Sequence, residues 1–171
     1  DEDIVAEIEK GNNKNIRFER WTTRNELEDK LLNIIADETD MNGIDDQDGF
    51  DASLGGLKKE FGTFFNMGCA KYADKWQILA PVRNMPQGVM NINHLIHLKY
   101  REHYMEVSKR WGNYRKIPKM LGPENIVYGD KVINVVNSVK DAYPKNDSAM
   151  NYVANGEIGI ACGMYGNLKA I

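Results

Sequence analysis

The chain has 171 residues, of which 42% are hydrophobic, and it carries a net charge of −3. A chain of this length can bury a real core, so we expect one compact domain, or one domain with a small satellite. Its two cysteines, Cys69 and Cys162, lack Cys-x-x-Cys or Cys/His spacing, which argues against a zinc site or a disulfide framework and favours free buried thiols. No apolar run approaches the roughly 18 residues of a membrane span and no signal peptide opens the sequence, so a cytoplasmic protein without a membrane partner is expected.

The charge is divided unevenly along the chain. Residues 1–51 hold 16 acidic and 6 basic residues, whereas residues 52–171 hold 9 acidic and 16 basic residues. Basic residues are densest from Lys99 to Lys119. Here they alternate with four aromatic residues: Tyr100, Tyr104, Trp111 and Tyr114. Cations neutralise phosphates and aromatic faces stack on unpaired bases, so this mixture suits single-stranded nucleic acid; a solvated helix whose aromatics face the core explains it equally well.

The first part of the chain predicts a strand followed by a helix. Residues 16–21 are typical of a strand. Thr23 and Glu26 then form a capping box. The apolar residues that follow, at i, i+4, i+7 and i+8, predict an amphipathic helix to about Asp37.

The middle of the chain predicts a loop, more helix and a buried strand. The acidic stretch at residues 38–51 lacks the ligand spacing of an EF-hand, so we expect a solvated loop there. Further helical residues are expected at 50–74. The sequence WQILAPV at residues 76–82 is an almost unbroken apolar run, as expected of a parallel strand covered on both faces. Open α/β sheets bind ligands beyond the carboxyl ends of their strands, and there Arg83 and Asn84 follow.

A helix is predicted from about Gly88. Its apolar stripe comprises Val89, Ile92, Ile96 and Tyr100. His94 and His97 share a His-x-x-His spacing, but no carboxylate or cysteine completes a recognisable metal set, so ordinary surface or core histidines are expected.

Two stretches near the end of the chain predict β-hairpin arms of a small barrel. In GDKVINVVN, Gly129-Asp130 turns the chain into a run of alternating faces. In NYVANGEIGIACG, Asn155-Gly156 is the dipeptide that a type I′ turn prefers, and a strand follows it. The proline and glycine of LGPEN predict a linker into the barrel.

These stretches, together with WQILAPVR and GVMNINHLIH at residues 76–83 and 88–97, resemble the C-terminal motor half of RecD-like superfamily 1 DNA helicases. In that family, a strand ending in L-x-P-x-R and a helix starting with L-N or I-N belong to the second RecA-like domain. A small barrel of the Src-homology-3 type follows as an insertion, with a G-D-x-V…N…N-G-x-x-G signature. The resemblance covers residues 76–166 well and the first seventy residues only by the order of elements.

The resemblance implies an α/β fold class. Residues 1–121 would be part of a RecA-like (P-loop NTPase-type) second motor domain, and residues 122–171 an inserted Src-homology-3-like β-barrel. The residues that carry the barrel turn and signature are Gly129, Asp130, Asn137, Asn155 and Gly156.

The resemblance also implies a function as a fragment of an ATP-dependent DNA helicase that supports strand gripping and strand separation. Its partners would be single-stranded or forked DNA and the remaining helicase domains. The candidate nucleic-acid contacts are Arg83, Asn84, Asn93, Lys99, Arg101 and Trp111. For Arg83, a surface ion pair with the acidic N-terminal part is the alternative, and for Asn93 a hydrogen bond at the helix start.

The sequence holds no P-loop of the form G-x-x-x-x-G-K-[S/T], which cradles ATP phosphates. We therefore expect a piece of a larger protein, with no catalytic residue, no metal and no cofactor in this chain. ATP and magnesium are expected for the parent protein, and the chain alone is predicted to be inactive. A stand-alone small-barrel module that recognises a protein or peptide partner is the alternative, because small barrels serve many functions.

Overall fold

The computed structural model of the chain describes residues 2–11, 15–60, 62–111, 120–139, 152–165 and 168–170. These residues form α-helices, one 3₁₀ helix and short strands. In chain order the elements are α1 (Glu2–Glu9), α2 (Arg24–Glu38), α3 (Gln47–Ser53), β1 (Leu57–Lys59), β2 (Gly62–Phe64), the 3₁₀ helix (Met67–Tyr72), α4 (Val89–Trp111), β3 (Lys131–Ile133), β4 (Ile158–Ile160), β5 (Gly163–Tyr165) and β6 (Leu168–Ala170). None of the helices in these ranges combines the length and hydrophobicity that a bilayer crossing requires.

Helix α2 begins as its capping residues predict. The hydroxyl of Thr23 accepts a hydrogen bond from the backbone N–H of Glu26 at 3.2 Å. The Glu26 carboxylate reaches back to the N–H and hydroxyl of Thr22, both at 2.9 Å, one residue earlier than a standard capping box. These bonds, the backbone bond first, lower the pKa of Glu26 to about 2. The predicted helix is confirmed, and Leu32 and Ile35 are buried on its inner face.

The two predicted strands before α4 are wrong. Residues 16–21 form no strand and are exposed. Residues 76–82 also form no strand. In this run Trp76 and Ile78 pack on the core while Leu79 is exposed, so the segment covers the core with one face only and pairs with no neighbouring strand. An apolar run indicates burial but does not supply a ladder partner.

The predicted helical stretch at 50–74 is only partly helical. Helix α3 begins inside the predicted acidic loop, where Asp46 caps it by accepting a bond from the N–H of Gly49 at 2.9 Å. The chain then turns through the β1–β2 hairpin, with Leu57 opposite Phe64, before the 3₁₀ helix. The predicted helix near Gly88 is confirmed as α4.

The two predicted arms pair with each other. Strands β3 and β4 are antiparallel, with Lys131 opposite Ile160 and Ile133 opposite Ile158. The turn at Asn155-Gly156 is present, with the N–H of Glu157 bonded to the carbonyl of Ala154 at 3.3 Å. Only Gly156 has a positive φ, of 94°, so the turn is not type I′; this pattern fits type II.

All three sheets in the described ranges are two-stranded and antiparallel, and none closes into a barrel. A RecA-like portion followed by a small barrel therefore stays a prediction. One buried cluster nevertheless draws residues from both sides of the predicted boundary between 121 and 122. Its members include Leu32, Ile35, Phe50, Leu54, Phe65, Cys69, Tyr100, Tyr104, Val127, Tyr128 and Ile160.

Candidate functional site

The signature residues near the C-terminus converge on one structure, which we call the arm: β3 with residues 134–139, and β4 with the turn residues 152–157 before it. The backbone of Asn134 donates to the carbonyl of Glu157 at 2.8 Å and accepts from Gly156 at 2.7 Å. Its side-chain amide donates to the carbonyl of Ala154 at 2.8 Å. Asn137 accepts a bond from the N–H of Asn155 at 2.6 Å. The asparagines therefore fix the turn of the arm.

A buried arginine joins the base of the arm to the helices. Arg101, in the middle of α4, donates from Nη1 to Oδ1 of Asp51 at 2.5 Å and from Nη2 to the carbonyl of Gly129 at 2.7 Å. Its Nε donates to Oδ1 of Asp130 at 3.2 Å. Asp130 also accepts a bond from the N–H of Val127 at 2.8 Å. This set of contacts, which we call the Arg101 node, links α3, α4 and the two residues that precede the arm.

Aromatic rings enclose the Arg101 node. The guanidinium carbon lies 5.0 Å from the ring centroid of Phe50 and 5.6 Å from that of Tyr104. Phe50 stacks on Tyr100 with centroids 3.9 Å apart. The Tyr104 hydroxyl donates to Oδ2 of Asp51 at 2.9 Å, and burial, with the nearby Asp51 charge, raises the pKa of Tyr104. Both carboxylate oxygens of Asp51 thus have donors, as a buried charge requires.

The node corrects the prediction for Arg101 as a nucleic-acid contact. Arg101 is 1% exposed and its donors are engaged within the protein, so it cannot reach a phosphate without unfolding the node. Tyr100 and Tyr104 are also buried, so neither presents a face to a base. The structure therefore shows the alternative for these three residues: their side chains face the core.

Other basic residues of α4 remain at the surface. The ammonium of Lys99 forms an ion pair with Asp45. Lys109 and Arg110 are exposed in the last turn of the helix. Trp111 is the last residue of α4, and its side chain lies outside the described part of the structure, as do residues 112–119.

The predicted contacts near the start of α4 are exposed. Arg83 and Asn84 are exposed in the loop before the helix, and Asn93 is exposed in its second turn. The loop is held to the helix because the carbonyl of Arg83 accepts a bond from the N–H of Met90 at 3.1 Å. Within the described ranges the Arg83 guanidinium has no ion pair, so the alternative of a salt bridge to the acidic part is not seen there.

A lysine connects this loop segment to the arm. The ammonium of Lys131, the first residue of β3, donates to the carbonyl of Trp76 and lies 4.8 Å from the centroid of its ring. Burial lowers the pKa of Lys131. The arm is therefore attached to the Arg83-bearing segment at Trp76 and to α4 at Arg101.

Sequence reasoning missed Asp51 and the exposed apolar residues of the arm. Asp51 lies between Phe50 and Leu54, both buried, and this position on an otherwise apolar helix face was the available signal. The arm exposes Ile133, Val135, Val136 and Val139. The alternation of β3 predicted one inward face, but the outward face is also apolar, which is unusual for a solvated strand.

The described ranges hold no group of three or more His, Cys, Asp or Glu side chains arranged to bind a metal ion. His97 lies with its Nε2 atom 3.1 Å from Oδ2 of Asp130, at the edge of the Arg101 node. Near the start of α4, exposed Arg83, Asn84 and Asn93 offer a cation and hydrogen-bond donors to a ligand.

No family model, curated protein or solved structure matches the chain. Any assignment of function must therefore depend on the residues and their geometry.

Proposed function

We propose that this chain is the strand-gripping portion of a RecD-like ATP-dependent DNA helicase, acting on single-stranded or forked DNA. The observation that carries the proposal is the convergence of the family's signature residues on the arm. Gly129 and Asp130 lie at its base, and Asn137 is bonded to Asn155 beside Gly156 at its turn. Asn137 and Asn155 are 18 residues apart in the sequence, and the pairing of β3 with β4 brings them together.

The attachments of the arm support the same proposal. A motor that moves along a DNA strand must transmit force between the residues that contact the strand and the rest of the domain. The buried contacts of Arg101 with Asp51 and Gly129 provide a stiff connection of this kind, because buried charge-assisted hydrogen bonds are short and strong. The bond from Lys131 to Trp76 provides a second connection.

Arg83 is the residue that we assign to the DNA phosphate. It is exposed, it follows the apolar 76–82 segment, and within the described ranges it has no competing carboxylate. Arg101 is excluded from this role by its burial. Asn84 and Asn93, exposed on either side of the start of α4, would add hydrogen bonds to the same strand. ATP and magnesium would be held by the remaining domains of the parent.

The test is binding of the chain to a fluorescently labelled oligothymidylate, followed by anisotropy over a series of salt concentrations. The logarithm of the association constant should fall linearly with the logarithm of salt, by about 0.7 for each phosphate neutralised on a single strand. Binding that does not depend on salt would contradict the proposal.

Substitution of Arg83 locates the site. Arg83→Ala should weaken binding and reduce the salt slope by about 0.7, because one phosphate contact is lost. Arg24→Ala removes another exposed charge from α2, where Arg24 pairs with Glu28, and should leave binding unchanged. Neither variant should lower the melting temperature by more than a few degrees. A large fall in stability of Arg83→Ala with unchanged binding would remove the DNA role.

The exposed apolar residues of the arm favour a second candidate function, a module that recognises a protein or peptide. Val135, Val136 and Val139 are exposed, and within the described ranges no strand pairs with the second edge of β3. A peptide strand could add to such an edge. Salt-insensitive binding of a hydrophobic or proline-rich peptide, without binding of oligothymidylate, would favour this second candidate.

A further inference from the structure

The two cysteines of the chain meet in the fold. Cys69 lies in the 3₁₀ helix and Cys162 lies two residues after the end of β4, yet their Sγ atoms are 3.1 Å apart. Both are free thiols, and the chain has no other cysteine. A shift of about 1 Å would bring the two sulfurs to the bonding distance of about 2.05 Å.

The surroundings make the two thiols different. Cys69 is 2% exposed, whereas Cys162 is partly exposed. The hydrogen bond between the two side chains lowers the pKa of Cys69 and raises that of Cys162, which makes Cys69 the more readily ionised of the two thiols. The thiolate is the nucleophilic form of cysteine, and a neutral thiol beside it is placed to resolve an oxidised sulfur.

We propose that Cys69 and Cys162 are a redox modification site that closes to an internal disulfide when the protein meets a peroxide. In the first step, the Cys69 thiolate attacks one oxygen of hydrogen peroxide, the O–O bond breaks, and sulfenic acid and hydroxide form. In the second step, the sulfur of Cys162 attacks the Cys69 sulfur, the S–O bond breaks, and the leaving hydroxide combines with the Cys162 proton as water. The oxidation number of each sulfur rises by one, and the two electrons released reduce one molecule of hydrogen peroxide.

The disulfide would fasten the arm at a further point. Cys162 follows β4, and Cys69 is in the 3₁₀ helix just before the 76–82 segment. The new bond would attach the arm at the end of β4. Lys131 and the Arg101 node attach it at the start of β3. The disulfide would therefore restrict movement of the arm relative to the helices. This inference does not depend on the helicase proposal, because it needs only the fold.

The test uses the reduced full chain treated with hydrogen peroxide and then analysed by mass spectrometry and thermal unfolding. The expected product is a monomer that has lost two hydrogen atoms, with a peptide cross-link between Cys69 and Cys162. The disulfide would close the loop between Cys69 and Cys162, which are 93 residues apart, and should raise the melting temperature by about 5 to 10 °C. Dithiothreitol should reverse both changes. Thiols that remain free in the folded chain, or a cross-link between two molecules, would overturn the proposal.

Single variants test the assigned roles. In Cys162→Ser the resolving thiol is absent, so Cys69 should stop at sulfenic acid and be labelled by dimedone. In Cys69→Ser the remaining Cys162 should stay reduced at the same peroxide dose. Circular dichroism checks that each variant is folded; should Cys69→Ser unfold, the wild type and Cys162→Ser still decide the outcome. Dimedone labelling at Cys162 rather than Cys69 would contradict the mechanism.

Discussion

The helices around Arg101 and the arm distribute charge and hydrocarbon in opposite ways. In the helices, Arg101 and Asp51 are each 1% exposed and hydrogen-bonded to one another. In the arm, Val135, Val136 and Val139 are exposed to 71%, 64% and 82% of their surface. One region therefore buries ions and the other exposes β-branched hydrocarbon.

The difference shows that residue type alone does not mark a binding surface. A buried ion pair is retained only when its remaining donors and acceptors are satisfied, as Tyr104 and Gly129 do for Asp51 and Arg101. Conversely, single exposed apolar residues are normal on a protein surface, whereas a large contiguous patch of them marks a surface that contacts other molecules. Here the buried ions lie inside the fold, and the exposed apolar residues lie on the arm.

The largest effect is expected from breaking the Arg101 node. Arg101→Met leaves the Asp51 carboxylate buried without its cation, so the free energy of unfolding should fall by about 3–5 kcal/mol. Urea unfolding followed by circular dichroism measures the change. Replacing both partners, as in Arg101→Met with Asp51→Leu, should recover part of the loss, because no unpaired charge remains. If Arg101→Met were as stable as the exposed control Arg24→Ala, the node would not be a structural element.

The junction between the two regions should be the next most sensitive position. Gly129 has a φ of 84°, and a Cβ added there would lie 2.6 Å from the ring of Phe65. Gly129→Ala should therefore lower the free energy of unfolding by about 2–3 kcal/mol through backbone strain and overlap together. Gly122, with a φ of 65° and open space around its Cβ, is the matched control. Gly122→Ala should cost only about 1 kcal/mol. Equal costs in urea unfolding would show that Phe65 gives way.

High pH should destabilise the core through its buried tyrosines. Burial raises the pKa of Tyr100, Tyr104 and Tyr128 in the folded chain. Below the ordinary tyrosine pKa of about 10 their contribution to stability is complete. Above it they ionise first in the unfolded chain, so the free energy of unfolding should fall by up to about 1.4 kcal/mol per pH unit for each tyrosine.

Urea unfolding between about pH 8 and about pH 11 measures this slope around the ordinary tyrosine pKa. Tyr104→Phe should make the slope shallower by about one proton, whereas Tyr152→Phe, at an exposed position of the arm, should not change it. An identical slope in wild type and Tyr104→Phe would show that Tyr104 is not the protected group.

The smallest effect is expected in the arm. Val135→Thr places a hydroxyl in solvent, so the free energy of unfolding should change by less than about 0.5 kcal/mol. Val127→Thr makes the same change at a site that is 2% exposed, and it should cost about 1–3 kcal/mol because the hydroxyl is buried. A comparable loss in both variants would mean that the exposed face of the arm is covered in solution.

Local sequence signals predicted helices α2 and α4 correctly, but not the strands expected at residues 16–21 and 76–82. Thr23, Glu26 and the apolar spacing after them fixed α2, because capping and helix periodicity act within a few residues. The alternation after Gly129 and the Asn155-Gly156 dipeptide likewise predicted strands and a turn in the arm. That these strands pair with one another depends on contacts distant in sequence, and alternation alone does not specify a partner.

Long-range contacts explain what sequence reasoning could not supply. The 76–82 segment has the composition of a strand. However, the carbonyl of Trp76 accepts its bond from the side chain of Lys131, 55 residues later, and not from a neighbouring strand. Arg101 belongs to a basic stretch, yet its burial depends on Asp51, 50 residues earlier. Neither partner can be identified from spacing. Arg83 and Asn93 were predicted from a resemblance, and their exposure is compatible with that prediction without testing it.

The coding sequence on both sides of this chain tests the helicase proposal most directly. The proposal predicts a G-x-x-x-x-G-K-[S/T] phosphate loop and an acidic strand upstream of Asp1, and further helicase motifs downstream of Ile171, in the same reading frame. A start codon directly before Asp1 and a stop codon directly after Ile171 would contradict it, because the protein would then lack the phosphate loop that the helicase family uses.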